Sequence, residues 1–204
     1  MRDETIAAFL DQLAARVPAP GGGATAALHA AQAAALLSMV ARYSDGAKYD
    51  ASVMDHVITE ADGIRSDALT LAERDAAAFA LVASAYGLPK GTEEEKAARS
   101  AAIASALAGA ARPPADVVRL ALLLVSLAEE LLPTGNRNVI TDVAAAAEAA
   151  RAAAVTAQVN IEVNLRGIGD DAVKADIASM AAVADEVTVR ADRVVAAVLE
   201  EIRK

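Results

Sequence analysis

The sequence of 204 residues contains no cysteine and no tryptophan, and aromatic residues make up only 2% of it. Without cysteine the chain cannot build a disulfide scaffold, a thiolate nucleophile or a cysteine-ligated zinc site. The two histidines, His29 and His56, fall on different predicted helices, and no spacing of His and Glu matches a zinc motif. We therefore expect a metal-free protein, and the absence of cysteine fits a reducing cytoplasm.

Positive charge is also scarce, since 19 Lys and Arg stand against 28 Asp and Glu, a net charge of −9. Binding to nucleic acid phosphates or to anionic membranes needs clustered Lys and Arg, so neither partner is expected. The first residues, MRDETIAAFL, lack the basic-then-apolar form of a signal peptide. These observations predict a cytoplasmic protein with neither a nucleic acid nor a membrane as its partner.

One stretch, from Gly21 to Ala41, carries no formal charge and is about long enough to span a bilayer. It is rich in alanine, however, and also contains polar residues such as Thr25, Gln32 and Ser38. We predict that it is a helix buried at the centre of the protein.

Alanine supplies most of the 55% hydrophobic content, and alanine is the best intrinsic helix former. No sustained alternation of β-branched or aromatic residues indicates strands. Glycine and proline clusters divide the chain into segments with helical periodicity, and Thr92 and Glu95 form a capping box. The sequence therefore predicts an all-α, single-domain bundle over residues 1–204. The predicted helices run from about Asp3 to Arg16, from the glycines to Tyr43, from Asp50 to Tyr86, from Thr92 to Arg112, from Pro113 to Leu132, from Thr141 to Asn164, and from Asp170 to the end.

These seven helices, some of them long, carry narrow alanine faces that one copy of the chain could not all bury. The uncharged second helix and the alanine-rich sixth helix are the natural faces for a second copy. We therefore expect a homodimer that forms through helix faces.

The most unusual segment is PAPGGG, which ends at Gly21, Gly22 and Gly23. Glycines directly before a helix leave backbone N–H groups open to an anion and allow a ligand to approach closely. The same segment is explained equally well as a flexible connection between two helices. The segment lacks the Lys-Ser/Thr ending of a P-loop, which argues against nucleotide binding.

Other candidate residues have two interpretations each. Asp142 is either a helix cap or a catalytic carboxylate, and Asp75 is either buried for function or at the edge of an apolar stripe. Asn160 and Asn164 share a helix face, and their amides could meet a ligand or a neighbouring helix. Lys48 is either solvated or a partner for a carboxylate tail.

Taken in order, these motifs resemble one known family. The segments FLDQLAARVPAPGGGATAALHAAQAAALLSMVARYSDGAKY, ERDAAAFALVASAYGLPKGTEEEKAAR, AEELLPTGNRNVITDVAAAAEAA and QVNIEVNLRGIGDD are similar to the formiminotransferase-cyclodeaminase C-terminal family. The resemblance extends from residue 4 to residue 171. The family's GKKKY is shortened here to GAKY, and its SDAGVA is TDVAAA here, which keeps Lys48 and Asp142.

The resemblance implies a dimeric helical bundle that holds a tetrahydrofolate derivative near the glycine-rich turn. It implies methenyltetrahydrofolate cyclohydrolase or formimidoyltetrahydrofolate cyclodeaminase activity, without a cofactor. Asp142 and Asp75 would be catalytic, and we expect them to share one hollow with the glycines. The residues expected to bind substrate are Gly21, Gly22, Gly23, Lys48, Asn136, Asn138, Asn160 and Asn164.

Two alternatives remain at this point. The first is a helical bundle that binds folate or another small acid without turning it over. The second is a structural partner subunit of a larger complex. Turnover of a folate substrate would separate the enzyme from both.

Overall fold

The computed structural model describes residues 2–204, which form seven α-helices and one short 3-10 helix, with no β-strand in that range. The all-α prediction, with its seven helices, is therefore confirmed. In chain order the elements are α1 (Ile6–Ala14), α2 (Gly22–Arg42), α3 (Ala51–Tyr86), α4 (Glu93–Ala110), α5 (Arg112–Thr134), the 3-10 helix η1 (Arg137–Val139), α6 (Ile140–Leu165) and α7 (Asp171–Ile202).

Four helices begin where a side chain accepts hydrogen bonds from the first free backbone N–H groups. Thr5, Asp50 and Asp170 cap α1, α3 and α7 in this way. The predicted capping box at α4 is confirmed, because Thr92 and Glu95 each bond the other's backbone N–H. The start of α1 at Ile6 rather than Asp3 follows from the cap at Thr5.

The end of α5 differs from the prediction, which places it near Leu132. Helix α5 continues through Pro133 to Thr134, and Arg137–Val139 form η1. Proline lacks a backbone N–H and usually breaks a helix, but here it lies in the last turn, so few helical bonds follow it. The connection is therefore short and ordered by its own hydrogen bonds.

Helix α2 is the central element, because it packs against α3, α5 and α6. Alanines such as Ala26, Ala30 and Ala34 are fully buried along it, and their small side chains let the neighbouring helices approach closely. By length and composition α2 could cross a membrane, and 61% of that segment is buried inside this fold. The prediction of a buried central helix is confirmed.

Helices α2 and α6 lie antiparallel. Gly22, at the start of α2, lies against Asn160 near the end of α6. At the other end, Asn136 before α6 bonds Ser44 just after α2. The motifs that flank α2 therefore lie at two opposite ends of the bundle.

Candidate active site

A cavity of about 270 Å³ lies at the amino end of α2. It gathers six of the residues that the sequence singles out, from the glycine turn, α3 and α6. Its lining residues are Pro18, Ala19, Gly21, Gly22, Gly23, Asp75, Phe79, Ala110, Val159, Asn160, Val163 and Asn164. The glycine turn is thus a wall of a cavity and not only a connection.

Asp75 is the acidic group of this cavity. Helix α3 brings its carboxylate to the start of α2, where it accepts a hydrogen bond from the backbone N–H of Ala24. Burial raises the pKa of Asp75, because desolvation disfavours the charged form, and the Ala24 bond only partly opposes this effect. A carboxyl group with a raised pKa can both release and accept a proton closer to neutral pH.

Two of the glycines lie so close to neighbouring side chains that a Cβ atom there would force those side chains to move. A Cβ atom at Gly23 would overlap the carboxylate of Asp75, and one at Gly22 would lie 3.2 Å from Nδ2 of Asn160. Gly21 is the N-cap residue of α2 and offers no side chain to cap it. The side chain of Asp75 therefore takes the place that a cap would otherwise fill.

That arrangement changes one hypothesis from the sequence. The open helix start after Gly23 was a candidate for holding a ligand carboxylate, but Asp75 already accepts a hydrogen bond there. A second carboxylate at the same point would meet like charge in a partly buried place. A carboxylate tail therefore fits poorly at this end of α2.

Asn160 and Asn164 each leave the side-chain amide oxygen free of hydrogen bonds within the described part of the protein. Nδ2 of Asn160 donates to the carbonyl of Thr156 at 2.8 Å, and Nδ2 of Asn164 donates to the carbonyl of Asn160 at 3.0 Å. Because a carbonyl can only accept, these bonds fix which side-chain atom is nitrogen and leave each Oδ1 available. Together with Asp75, and with no Lys or Arg among the described lining residues, they favour a ligand with N–H groups or positive charge.

A second cavity, of about 480 Å³, lies at the carboxyl end of α2. It contains three further predicted residues, Lys48, Asn136 and Asn138, together with Arg137. Nζ of Lys48 lies 4.8 Å from the centre of the Tyr49 ring. Lys48 and Arg137 outnumber Asp50, the one acidic side chain among the described residues that line this cavity, so the cavity is a suitable place for an anionic group.

Arg137 is a residue that the sequence reasoning did not select for binding. It lies between two asparagines that were selected, in the same cavity wall, and its Nη1 donates to the carbonyl of Leu132 at 3.0 Å. The signal that could have identified it was its position in the Asn-Arg-Asn run. Arg137 therefore adds a second cationic side chain to the cavity that Lys48 lines.

The side chain of Asn136 stabilises the wall of this second cavity through hydrogen bonds within the protein. Its Nδ2 donates to the carbonyl of Tyr43 at 2.6 Å, and its Oδ1 accepts from the backbone N–H of Asn138 at 3.0 Å. Both polar atoms of the side chain are therefore engaged within the protein. Its proposed role in substrate binding becomes indirect.

The expectation that Asp142 and Asp75 share one hollow is wrong for a single chain. Asp142 is half-buried in the first turn of α6 and lines neither cavity. Eighteen residues of α6 separate it from Asn160, which amounts to about 27 Å at the helical rise. The antiparallel packing of α2 and α6 causes this separation, so the two carboxylates cannot act on each other within one chain.

The rest of the described surface offers no further group of the predicted site residues. A groove of about 680 Å³ between α3 and α4 is lined mainly by alanine and leucine and includes none of the predicted residues. In residues 2–204, no three His, Asp or Glu side chains lie together in a way that could hold a metal ion.

Known proteins are similar to this chain along most of its length. The family model described as formiminotransferase-cyclodeaminase matches residues 5–183. The chain is 41% identical over 173 residues to the methenyltetrahydrofolate cyclohydrolase of Methylorubrum extorquens, covering 83% of each chain. It is 34% identical to the formimidoyltransferase-cyclodeaminase of Rattus norvegicus, over 84% of this chain but only 32% of that longer protein.

A solved structure is also similar along almost its whole length. The formiminotetrahydrofolate cyclodeaminase of Thermotoga maritima superposes with a TM-score of 0.82 and 28% identity, over 97% of this chain and 98% of that one. The matched family model spans most of the chain, and the fold of this relative is the same. The chain therefore belongs to the formiminotransferase-cyclodeaminase family.

Proposed function

We propose that this protein is a folate one-carbon enzyme that hydrolyses 5,10-methenyltetrahydrofolate. The observation that carries the proposal is the half-buried carboxyl group of Asp75, with its raised pKa, in a cavity that also contains the side-chain amides of Asn160 and Asn164. The similarity to a methenyltetrahydrofolate cyclohydrolase over 83% of both chains supports this choice of reaction.

The reaction fits the groups of the cavity. Water adds to the methenyl carbon of the cationic substrate, and Asp75 as a carboxylate stabilises that cation and takes a proton from the water. The carbon is then tetrahedral, and the bond to one folate nitrogen breaks as Asp75 returns its proton to that nitrogen. The products are a formyl group on the other nitrogen and one proton released to solvent.

The two cavities suit the two ends of such a substrate. The acceptors Asp75, Asn160 and Asn164 match the N–H edge and positive charge of the reduced pterin. Lys48 and Arg137 match the carboxylates of the glutamate tail. This assignment puts the reacting carbon at the amino end of one α2 helix and the glutamate tail of the substrate at the carboxyl end of an α2 helix.

A homodimer would bring these two ends together. The outer face of α6 exposes Val155, Val159 and Val163, which are 38%, 59% and 68% exposed, and Gln32 is exposed on the neighbouring α2. If two copies pack these faces about a twofold axis perpendicular to α2, the helices of the two copies run antiparallel. The amino end of one α2 then lies beside the carboxyl end of its partner.

In this dimer each site uses residues from both copies. Asp75, the glycines and the two asparagines of α6 come from one copy, and Lys48 and Arg137 come from the other. In the same dimer, the start of α6, which carries Asp142, lies near the end of α6 in the partner. Asp142 therefore stays a candidate for catalysis through the dimer.

A second reaction is favoured by the solved relative, whose name states formiminotetrahydrofolate cyclodeaminase. There a folate nitrogen attacks the formimino carbon, and Asp75 as the acid would protonate the departing ammonia. The same tetrahedral carbon and the same carboxyl group serve both reactions. The two activities therefore differ in the leaving group and not in the architecture of the site.

The decisive experiment follows both substrates with the purified chain. Loss of the near-ultraviolet absorbance of 5,10-methenyltetrahydrofolate reports hydrolysis, and ammonia release from formiminotetrahydrofolate reports deamination. We expect turnover of the first and a strong loss of rate in Asp75→Asn. Binding of either folate without turnover would support a non-catalytic binding protein, and full activity of both Asp75→Asn and Asp142→Asn would contradict the roles assigned here.

We also propose that the enzyme needs no cofactor and acts in the cytoplasm without a nucleic acid or membrane partner. Treatment with a metal chelator followed by dialysis should leave the rate unchanged. A rate that falls and returns only with an added divalent metal would contradict this proposal.

A further inference from the structure

Two loops form the cavity at the carboxyl end of α2, and one buried hydroxyl joins them. The loop after α2 carries Lys48, and the turn before α6 carries Arg137. Ser44 lies in the first loop and is only 3% exposed. Its Oγ accepts the backbone N–H of Asn136 at 2.9 Å and donates to the carbonyl of Val40 at 2.8 Å.

A second bond and a required glycine hold the same junction. The Asn136 side chain donates to the carbonyl of Tyr43 at 2.6 Å, one residue before Ser44. A Cβ at Gly135 would lie 2.8 Å from the carbonyl oxygen of Leu131 and 3.4 Å from Cγ1 of Val40. The turn before α6 therefore packs directly against the last turn of α2.

These contacts join the two chain segments that carry the cations. Lys48 follows Ser44 by four residues, and Arg137 follows Asn136 directly, so each cation is close in sequence to one side of the junction. Neither Ser44 nor the backbone of Asn136 is one of the charged groups that would meet the tail. We propose that Ser44 is a positioning residue, which holds Lys48 and Arg137 at the spacing that the glutamate tail of the substrate requires.

This inference rests on the proposed function, and its test uses substrates with and without the tail. The variant Ser44→Ala removes the acceptor for the Asn136 N–H. For 5,10-methenyltetrahydrofolate we expect a roughly tenfold rise in KM with kcat within about twofold of wild type, because binding geometry changes and the reacting end does not. For 5,10-methenyltetrahydropteroate, which lacks the glutamate tail, KM should be the same for wild type and for Ser44→Ala.

Three further variants make the result specific. Ser84→Ala removes a hydroxyl that likewise donates to the carbonyl four residues before it, but far from this cavity, and should leave KM unchanged. Ser44→Thr keeps the hydroxyl and should restore most of the lost affinity. Asn136→Ala breaks the bond to Tyr43 while keeping the backbone N–H, so it should raise KM for the tailed substrate even if Ser44→Ala fails to fold.

The outcomes separate the two proposals. If the wild-type chain is active but Ser44→Ala and Asn136→Ala leave KM unchanged, or raise it equally for both substrates, the positioning role is wrong and the proposed function stands. If the wild-type chain neither binds nor converts any folate, the proposed function is wrong, and the positioning role is wrong with it.

Discussion

Replacement of Gly23 by alanine tests the contact between the glycine turn and Asp75. The added Cβ would overlap the carboxylate, and overpacking of this kind typically destabilises a protein by about 1–3 kcal/mol. Alanine in place of a helical glycine contributes about 0.5–1 kcal/mol in the opposite direction. We therefore expect a net loss of up to about 2.5 kcal/mol in the free energy of unfolding.

The matched control is Gly63→Ala. Gly63 lies within α3, and a Cβ there would meet no described atom within 4 Å, so the variant should gain about 0.5–1 kcal/mol. Urea denaturation measures both free energies, and the methenyltetrahydrofolate assay should show a lower rate only for Gly23→Ala.

The cause of the loss can be isolated with a double variant. In an Asp75→Ala background the carboxylate is absent, so the cost of Gly23→Ala should largely disappear. If Gly23→Ala is as stable and as active as Gly63→Ala, or if its cost is the same with and without the carboxylate, the close contact is not present in solution.

Three other predictions concern charge. Asp75→Asn should lower kcat by about 100-fold or more. Burial raises the pKa of Asp75, so this group stabilises the fold fully only below the ordinary pKa of aspartate. The free energy of unfolding should therefore fall as the pH rises through the raised pKa. Urea titrations at several pH values should show that Asp75→Asn abolishes this fall. Glu129 accepts two hydrogen bonds from Arg190, at 2.6 and 3.0 Å, and these bonds lower the pKa of Glu129. Glu129→Gln should therefore lower the free energy of unfolding by about 1 kcal/mol near neutral pH. Denaturation should show that this difference vanishes as the pH falls through the lowered pKa. Lys48→Ala and Arg137→Gln should each raise KM for the tailed folate roughly tenfold, and salt titrations should show a weaker dependence of KM on ionic strength than in wild type.

The helices were predictable because local signals agree with the final packing. Thr92 and Glu95 cap α4, and Asp170 caps α7, as their positions before helical segments indicated. The end of α5 was not predictable in the same way, since proline usually breaks a helix, whereas α5 continues through Pro133 to Thr134.

The residues of the candidate site were found more easily than their arrangement. Motif order identified Asp75 and the glycines, but not that the carboxylate of Asp75 would cap α2 through Ala24. The separation of Asp142 from Asp75 depends on the antiparallel packing of α2 and α6, which no local pattern specifies. The role of Ser44 was also hidden, because its partner Asn136 lies 92 residues away in the chain.

Mixing two inactive variants tests most directly whether each site is shared between two copies. One variant carries Asp75→Asn, and the other carries Lys48→Glu and Arg137→Glu. After joint unfolding and refolding at equal amounts, about half of the dimers contain one chain of each kind, and each of these has one site with all its wild-type residues. A shared site predicts that activity returns to about a quarter of the wild-type value. A refolded mixture that contains mixed dimers and is no more active than its two parents would contradict the shared site.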